Sequence, residues 1–168
     1  MSYATVALNK SHKKELFNCG QTVLDNYIQN IASQDVKRNL SACFVLEGEN
    51  SKKINGYYTL SSTSIFKGTI PSSLSKKLPA SYAHLPTTLL GRLAIDKSCQ
   101  GQGLGEFLLI DALKRSYDVA MNNVGSLAVL VDPIDDKARR FYLRYGFIPL
   151  PDINKLFLPM STIGELFK

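Results

Sequence analysis

The fold is decided by residues 88–123, which read TLLGRLAIDKSCQGQGLGEFLLIDALKRSYDVAMNN. Residues 88–96 predict a strand, residues 99–105 a glycine-rich turn and residues 105–123 a helix. The apolar stripe of this helix is formed by Leu108, Leu109, Ala112 and Leu113. A strand that runs through glycines into a helix leaves the first amides of the helix free, so the turn is a candidate anion site. A tight turn with no ligand is the alternative at this point.

The residues before this stretch predict a first strand, a helix and an antiparallel hairpin. Strands are expected over residues 3–8, 42–47 and 54–66, and the apolar spacing predicts a helix from Cys19 to about Lys37. Residues 67–87 hold three prolines among serines and lysines, so they predict a long loop. Loops of this length inside compact domains are usually functional.

The residues after it predict a buried strand, a short helix and two closing strands. SLAVLVD at 126–132 is nearly all apolar, as in strands that are covered on both faces. Asp135 or Asp136 is expected to cap the short helix, and Gly146 is expected to end it. The order of elements predicts one α/β (α+β) domain over residues 1–168, with a mixed, mostly antiparallel sheet and helices on both faces.

Composition excludes several classes of protein. The chain has 168 residues, 45% of them hydrophobic and 20% charged, which excludes intrinsic disorder and fibrous repeats. No apolar run reaches the roughly 18 residues of a membrane-spanning helix, and residues 1–14 lack the apolar core of a signal peptide. A cytoplasmic protein with no membrane association is therefore expected.

The net charge and the few cysteines and histidines limit the kinds of partner and site that this chain can have. The net charge is +6, and most of the excess lies in residues 1–90, which fits a polyanionic partner such as RNA or an ordinary solvated surface. Three cysteines far apart and two histidines, His12 and His84, make a disulfide framework and a metal site improbable. Both histidines are expected at the surface.

The spacing of the glycines limits the nucleotide that the turn can bind. Gly101, Gly103 and Gly105 are spaced G-x-G-x-G, which does not meet the G-x-G-x-x-G fingerprint of dinucleotide binding. No Lys-Ser or Lys-Thr follows, so the turn is not a P-loop. Residues 100–105 do fit the pattern Gln-x-x-Gly-x-Gly.

That pattern resembles the coenzyme A pyrophosphate loop of the GCN5-related N-acetyltransferases (GNAT). Two further elements of that family are present in order, RLAID before the loop and FYLRYGF at 141–147. The resemblance implies a sheet that splays between its fourth and fifth strands, with the thioester of acetyl-CoA between them. It also implies that acetyl-CoA is bound by the loop backbone, the fourth-strand edge and one fifth-strand residue. These residues are Gln100, Gly101, Gln102, Gly103, Leu104 and Gly105, then Leu93, Ala94 and Ile95, and finally Asp132.

A closer resemblance is to the acetyltransferase toxins of bacterial toxin–antitoxin pairs. The shared motifs are Phe17-Asn18-Cys19-Gly20, Leu24-Asp25-Asn26-Tyr27-Ile28, Gly56-Tyr57-Tyr58, the segment from Leu89 to Asp96, and the segment from Leu156 to Pro159. This resemblance covers nearly the whole chain. It implies an acetyl-CoA-dependent enzyme that acetylates the α-amino group of aminoacyl-tRNA and blocks translation. It further implies a ribbon-helix-helix antitoxin and a homodimer.

Tyr142 is the predicted catalytic residue. A phenol with a pKa near 10 is protonated at neutral pH and can give its proton to a departing thiolate. Tyr145 is the alternative candidate for this role. The alternative for Tyr142 itself is a purely structural role as a core tyrosine. No histidine or carboxylate stands out as a general base, and this favours an α-amine, whose pKa near 8 lies well below that of a lysine.

Arg92, Lys37 and Arg38 are predicted to bind the RNA substrate. Arg92 is the one charged residue inside an apolar strand, so it either contacts the acceptor-end phosphates or forms an ion pair with Asp96 or another acid. Two other functions remain open on the sequence. The enzyme could acetylate protein N-termini or small amines, or the chain could be a regulator that binds coenzyme A or nucleic acid without turnover.

Overall fold

A computed structural model describes residues 4–168 of the chain. It contains seven strands: β1 (Thr5–Ala7), β2 (Ala42–Glu47), β3 (Ile54–Phe66), β4 (His84–Ile95), β5 (Ala128–Val131), β6 (Ile148–Pro149) and β7 (Leu156–Pro159). Tyr3, with which the predicted first strand begins, lies outside the described residues. The bounds predicted for β2 and β3 are confirmed, since both segments are rich in the apolar and aromatic residues that strands favour.

Six α-helices lie between or after these strands. They are α1 (Thr22–Asn26), α2 (Ala32–Lys37), α3 (Ser72–Ser75), α4 (Leu104–Asn122), α5 (Asp136–Arg144) and α6 (Met160–Leu166). A π-helical segment, Tyr27–Ile31, connects α1 to α2, so the single helix predicted from Cys19 to Lys37 is interrupted in the middle. None of the helices within residues 4–168 combines the length and apolar character needed to cross a membrane.

The seven strands form one mixed sheet in the order β1-β2-β3-β4-β5-β7-β6. β4 and β5 are parallel, and the pairs β1–β2, β2–β3, β5–β7 and β6–β7 are antiparallel. The parallel ladder joins residues 88–90 to residues 129–131, whereas β4 continues to Ile95. The part of β4 that leads into the glycine turn therefore lies beyond this ladder.

The loop before β4 is shorter than predicted. β4 begins at His84 and not at Thr88, and the preceding residues include a 3-10 turn, Lys67–Thr69, and α3. The early start of β4 was hidden in the sequence because Pro86 argues against a strand. The backbone amide of Leu127 donates to the Pro86 carbonyl at 2.8 Å, so this strand still pairs on its carbonyl side.

The chain divides into two compact units whose boundaries fall inside β3, β4 and α4. The first unit combines the residues up to Ser61 with Gly91–Ala112. Its buried core contains Leu8, Phe17, Tyr27, Ile28, Ala32, Cys43, Val45, Ile54, Tyr57 and Ala94. Tyr27 and Ile28, the first two residues of the π-helical segment, both lie in this core.

The motif Gly56-Tyr57-Tyr58 fits the packing of the first unit. A Cβ on Gly56 would lie 2.7 Å from Ile95 Cδ1 and 3.0 Å from the Ala94 carbonyl oxygen, so only glycine fits here. The Tyr57 hydroxyl donates to the Leu24 carbonyl at 2.7 Å, and the Tyr58 hydroxyl donates to Asp111 at 2.6 Å. Both buried phenols are therefore satisfied, which removes the cost of an unpaired polar group.

The second unit combines Ser62–Leu90 with Leu113–Lys168. Its buried core contains Ile65, Ile70, Leu85, Ala128, Leu130, Leu150 and Phe157. All four residues of β5 are buried, as the apolar run predicts for a central strand. α5 begins where the Asp135 carboxylate accepts the Ala138 amide hydrogen, and it ends before Gly146, whose φ of 92° is the left-handed conformation predicted for it.

Candidate active site

The turn from β4 to α4 is held together by the Asp96 carboxylate. Asp96 accepts the Ser98 amide at 3.0 Å, the Ser98 hydroxyl at 2.6 Å and the Asn18 amide at 3.0 Å. Burial alone would raise the pKa of Asp96, but these hydrogen bonds and the Lys53 ammonium lower it below its usual value. The side chain is therefore an ionised cap of the turn, and its acceptor capacity is used within the protein.

Gln100 fixes the start of the glycine loop through its side chain. Its carboxamide NH₂ donates to the Ile95 carbonyl at 2.9 Å and to the Cys19 carbonyl at 3.0 Å. One hydrogen bond reaches the end of β4, and the other reaches the Phe17–Gly20 segment. Only the backbone of Gln100 was predicted to have a role, so the two hydrogen bonds of its side chain were missed. The glutamine at the first position of the pattern Gln-x-x-Gly-x-Gly was the signal that could have predicted them.

The two glycines that follow leave open space beside the loop. Gly101 and Gly103 have φ values of 81° and 79°, which side chains other than glycine rarely adopt. A Cβ built on either residue meets no heavy atom within 4 Å. α4 begins at Leu104. The Phe107 amide donates to the Gly103 carbonyl at 3.1 Å, which is the first hydrogen bond of the helix.

This arrangement fits a pyrophosphate. The amides at the first turn of α4 have no acceptor in the helix, and the helix dipole adds a partial positive charge there. The Leu104 side chain is buried in the protein, away from solvent. The open space beside Gly101 and Gly103 therefore forms a cradle in which a pyrophosphate could approach the loop backbone.

The strand that enters the cradle supplies backbone and not reactive groups. Leu93, Ala94 and Ile95 are the last residues of β4, and Ala94 is buried in the core of the first unit. None of the three carries a group that titrates, so any role in binding acetyl-CoA would fall to their amides and carbonyls. The backbone role that the resemblance implies for these three residues stays a prediction.

Tyr142 lies on α5 in the second unit, and its side chain is only 7% exposed. Its ring packs edge-on against Phe141 and Phe147, with centroid distances of 5.2 and 5.3 Å. Within residues 4–168 its hydroxyl makes no hydrogen bond. Burial raises the pKa of Tyr142 above the ordinary value of a phenol, so the hydroxyl keeps its proton at neutral pH.

Tyr145 and Asp132 have other surroundings in the same unit. Tyr145 ends α5, is half-buried and stacks edge-on against Phe141 at 5.0 Å. Asp132 follows β5, and both of its oxygens accept hydrogen bonds from Lys155, at 2.7 and 2.8 Å. An acetyl-CoA contact through the Asp132 carboxylate would therefore compete with a formed ion pair, although its backbone stays available.

Arg92 was predicted either to contact phosphates or to form an ion pair with Asp96 or another acid, and the structure shows no ion pair with Asp96. Its guanidinium carbon lies 3.5 Å from the centre of the Tyr27 ring, a cation–π contact. Burial and a hydrogen bond to Asp35, 2.9 Å long, raise the pKa of Tyr27 to about 12, so the phenol stays protonated and keeps that bond. Among the residues described, none accepts a hydrogen bond from the Arg92 side chain.

This support for Arg92 was missed from the sequence. In the sequence, Tyr27 stands out only as part of the motif from Leu24 to Ile28. The eight-residue separation of Tyr27 and Asp35 hides their contact, because the π-helical segment between them changes the helical register. The signal that was present is the isolated arginine in an apolar strand, which requires a partner or a ligand.

The remaining predicted residues have simpler surroundings. Lys37 and Arg38 are exposed at the C-terminal end of α2. His12 is buried, which corrects the expected surface position: its Nδ1 accepts the Asn9 amide at 3.0 Å, and Glu47 lies 3.2 Å from Nε2. His84 is exposed, as expected. No group of three or more metal-ligating side chains occurs in the part of the chain that the structure describes.

The chain is similar to a known protein family and to curated proteins. The family described as an acetyltransferase (GNAT) domain matches residues 39–149. A tRNA-acetylating toxin of Mycobacterium tuberculosis (strain ATCC 25618 / H37Rv) is 34% identical over 131 residues, which are 78% of this chain and 75% of that protein. The chain therefore belongs to the GNAT acetyltransferase family.

Solved structures of toxins share the whole fold. A tyrosine mutant of KacT superposes with a TM-score of 0.91 at 32% identity, and the match covers 99% of this chain and 100% of that one. AtaT complexed with acetyl-methionyl-tRNAfMet gives 0.90 at 30% identity, again with 99% and 100% covered. A tyrosine-to-phenylalanine mutant of AtaT, bound to the C-terminus of the antitoxin AtaR and to acetyl-CoA, gives 0.82 at 27%, with 99% and 98% covered.

Gly103→Ala is expected to weaken the binding of acetyl-CoA at least tenfold, because its Cβ would enter the open space beside the loop. Gly146→Ala is the matched control. Gly146 also has a positive φ, and the nearest atom to its Cβ lies 3.9 Å away, so both variants lose about 1–2 kcal/mol of folding stability. Calorimetric titration should show the loss of affinity only for Gly103→Ala. Equal affinities for the two variants would show that the loop is not part of the acetyl-CoA site.

Proposed function

We propose that this chain is a toxin that transfers the acetyl group of acetyl-CoA to the α-amino group of the amino acid on charged tRNA. An acetylated aminoacyl-tRNA has no free amine for peptide bond formation, so translation stops. The observation that carries this proposal is the match over nearly the whole chain to AtaT complexed with acetyl-methionyl-tRNAfMet. The 34% identity to a protein named as a tRNA-acetylating toxin supports the same substrate class.

The glycine loop holds the acetyl donor in this proposal. Acetyl-CoA supplies a thioester whose carbonyl carbon an amine can attack. The amides from Gly101 to Gly105 and the positive end of α4 would bind its pyrophosphate, and the backbone of Leu93, Ala94 and Ile95 would bind the pantetheine arm. The complex of the AtaT mutant with acetyl-CoA supports this donor.

Tyr142 provides the proton for the leaving group. The amine forms a bond to the acetyl carbon, the carbon–sulfur bond breaks, and the Tyr142 hydroxyl gives its proton to the sulfur. The phenol has no protein acceptor that would compete for this proton, and solvent restores the proton to the phenolate after the transfer. Two solved relatives were studied as tyrosine mutants, which supports a tyrosine at the centre of the reaction.

The amine loses its proton to water and not to a side chain. Both ring nitrogens of His12 are engaged, so this residue is not available as a base. An α-amino group with a pKa near 8 is partly unprotonated at neutral pH, whereas a lysine amine with a pKa near 10.4 is almost fully protonated. A site without a general base therefore favours an aminoacyl ester over a lysine side chain.

The RNA is bound by basic side chains in this proposal. Arg92 keeps its N–H donors free while its face rests on Tyr27, which suits a phosphate near the acceptor end. Lys37 and Arg38 would contact phosphates farther along the tRNA, and the net charge of +6 supports such contacts.

The partners and the compartment follow from this function. We propose an antitoxin partner of the ribbon-helix-helix type, a homodimer, and a cytoplasmic location, where charged tRNA is found. The AtaT mutant bound to the antitoxin AtaR supports an antitoxin. Residues 1–168 would act as a single domain, since β3, β4 and α4 each contribute to both compact units.

The acceptor specificity tests this function. Initial rates with labelled acetyl-CoA are expected to be high with charged tRNA and near background with uncharged tRNA. A peptide with a free N-terminus and a small amine are expected to react at least a hundredfold more slowly, because they lack the phosphates that basic residues bind. A faster rate with the peptide or the amine would assign the chain to another acceptor class. No turnover with any acceptor would favour a binding module.

Tyr142→Phe is expected to slow acetyl transfer by about 10²–10⁴-fold, the usual effect of a positioned general acid. The affinity for acetyl-CoA should stay near the wild-type value, and the loss of stability should be well below 1 kcal/mol because the hydroxyl has no protein partner. Single-turnover kinetics measure the step. Tyr145→Phe is the control and should lose far less activity. Wild-type rates for Tyr142→Phe would reject the general acid.

A further inference from the structure

The segment between Glu49 and Asp96 contains neither aspartate nor glutamate. Within the second unit this acid-free segment includes Lys67, Lys76 and Lys77. Residues 66–84, which we call the aromatic–basic loop, thus carry positive charge that no acid of the segment neutralises. Such a local excess of one sign attracts a polyanion.

One lysine holds this loop together from within. The Lys67 amide donates to the Ala83 carbonyl at 2.8 Å, so the two ends of the loop are joined. The Lys67 ammonium donates to the carbonyls of Pro79 at 2.8 Å and Leu78 at 3.3 Å. The loop therefore has a defined shape, and the charge of Lys67 is already used inside it.

The other two lysines are available to a ligand. Lys76 and Lys77 follow α3 directly, and their backbone amides are fixed by hydrogen bonds to Ser72 and Leu74. Both side chains are exposed, and across residues 4–168 no carboxylate pairs with either of them. Two adjacent ammonium groups on an anchored backbone can contact consecutive phosphates.

Aromatic rings stand at the two ends of the same loop. Phe66 is 53% exposed and Tyr82 is 54% exposed, which is unusual for rings of this size. The Phe66 ring lies over Gly68, where a Cβ would come within 2.6 Å of Cε1. It also contacts the exposed ring of His84, with 5.7 Å between centroids. Glycine thus leaves room for a ring that packs on the loop and keeps one side in solvent.

We propose that the aromatic–basic loop binds the unpaired 3′ nucleotides of the tRNA substrate. Phe66 and Tyr82 would stack against bases, and Lys76 and Lys77 would contact the neighbouring phosphates. Exposed aromatic rings beside unpaired lysines are the combination that single-stranded nucleic acid requires, since every base offers a flat face and every linkage a charge. The inference rests on the proposed function, because it concerns the same RNA substrate.

The charge contribution is tested with a pair of double variants. Lys76→Gln with Lys77→Gln should lower the salt dependence of tRNA affinity, reducing the log–log slope by about 1.5, because two phosphate contacts are lost. Lys114→Gln with Lys168→Gln is the matched control. It removes the same charge from the same unit, but Asp118 and Glu165 already pair these lysines. The control should leave the slope nearly unchanged. An equal change of slope in both double variants would show that only the net charge of the protein matters and that the loop lysines make no specific contact.

The stacking contribution is tested at Tyr82. Tyr82→Leu should weaken tRNA binding about fivefold or more, whereas Tyr82→Phe should retain the affinity because it keeps the ring. A tRNA shortened by its unpaired 3′ nucleotides should bind the wild-type protein more weakly and should bind Tyr82→Leu equally weakly. If Tyr82→Leu weakened the binding of both RNAs by the same factor, the ring would contact another part of the tRNA or none.

The outcomes separate this inference from the proposed function. Acetylation of charged tRNA by the wild-type protein tests the function alone. If that reaction proceeds and the lysine and tyrosine variants bind tRNA like the wild type, the loop does not bind RNA. Sedimentation of Tyr82→Leu gives a further check, because a changed oligomeric state would make the loop an interface between copies of the chain. Unchanged affinity for acetyl-CoA in calorimetry shows that the variants are folded.

Discussion

The carboxamide of Gln100 joins three parts of the chain that the acetyl donor requires. Its NH₂ group donates to Ile95 at the end of β4 and to Cys19 in an early loop, and its backbone begins the glycine turn. Asp96 reinforces the same junction by accepting from Ser98 and Asn18. These side chains hold the turn in which Gly101 and Gly103 have their left-handed conformation, with open space beside both glycines.

The chemistry depends on groups whose polar atoms have no partner within the protein. The Tyr142 hydroxyl and the Arg92 guanidinium make no hydrogen bond with the residues described, although both side chains are wholly or partly buried. Polar groups that lack a protein partner keep their hydrogen-bonding capacity for a ligand, which points to a use in binding or catalysis. Asp96 and His12 show the opposite case, since their hydrogen-bonding capacity is used to hold the fold.

Local patterns were sufficient to predict much of the fold and the glycine turn. Runs rich in apolar and aromatic residues predicted the bounds of β2 and β3, and the spacing of leucines predicted the buried stripe of α4. The patterns could not predict contacts between residues far apart in the chain. The Gln100 bond to Cys19, the Tyr27 platform under Arg92 and the buried His12 all depend on tertiary packing. The early start of β4 was also missed, because Pro86 is read locally as a strand breaker.

The whole site depends on binding of the acetyl-CoA pyrophosphate by the amides at the start of α4. Amide hydrogen exchange, measured residue by residue with and without coenzyme A, reports on these amides. Saturating coenzyme A should slow exchange from Gly101 to Glu106, whereas the amides of the Gly125 turn, which lies outside the site, should exchange at an unchanged rate. Bound coenzyme A that leaves exchange from Gly101 to Glu106 unaltered, with protection elsewhere, would contradict it.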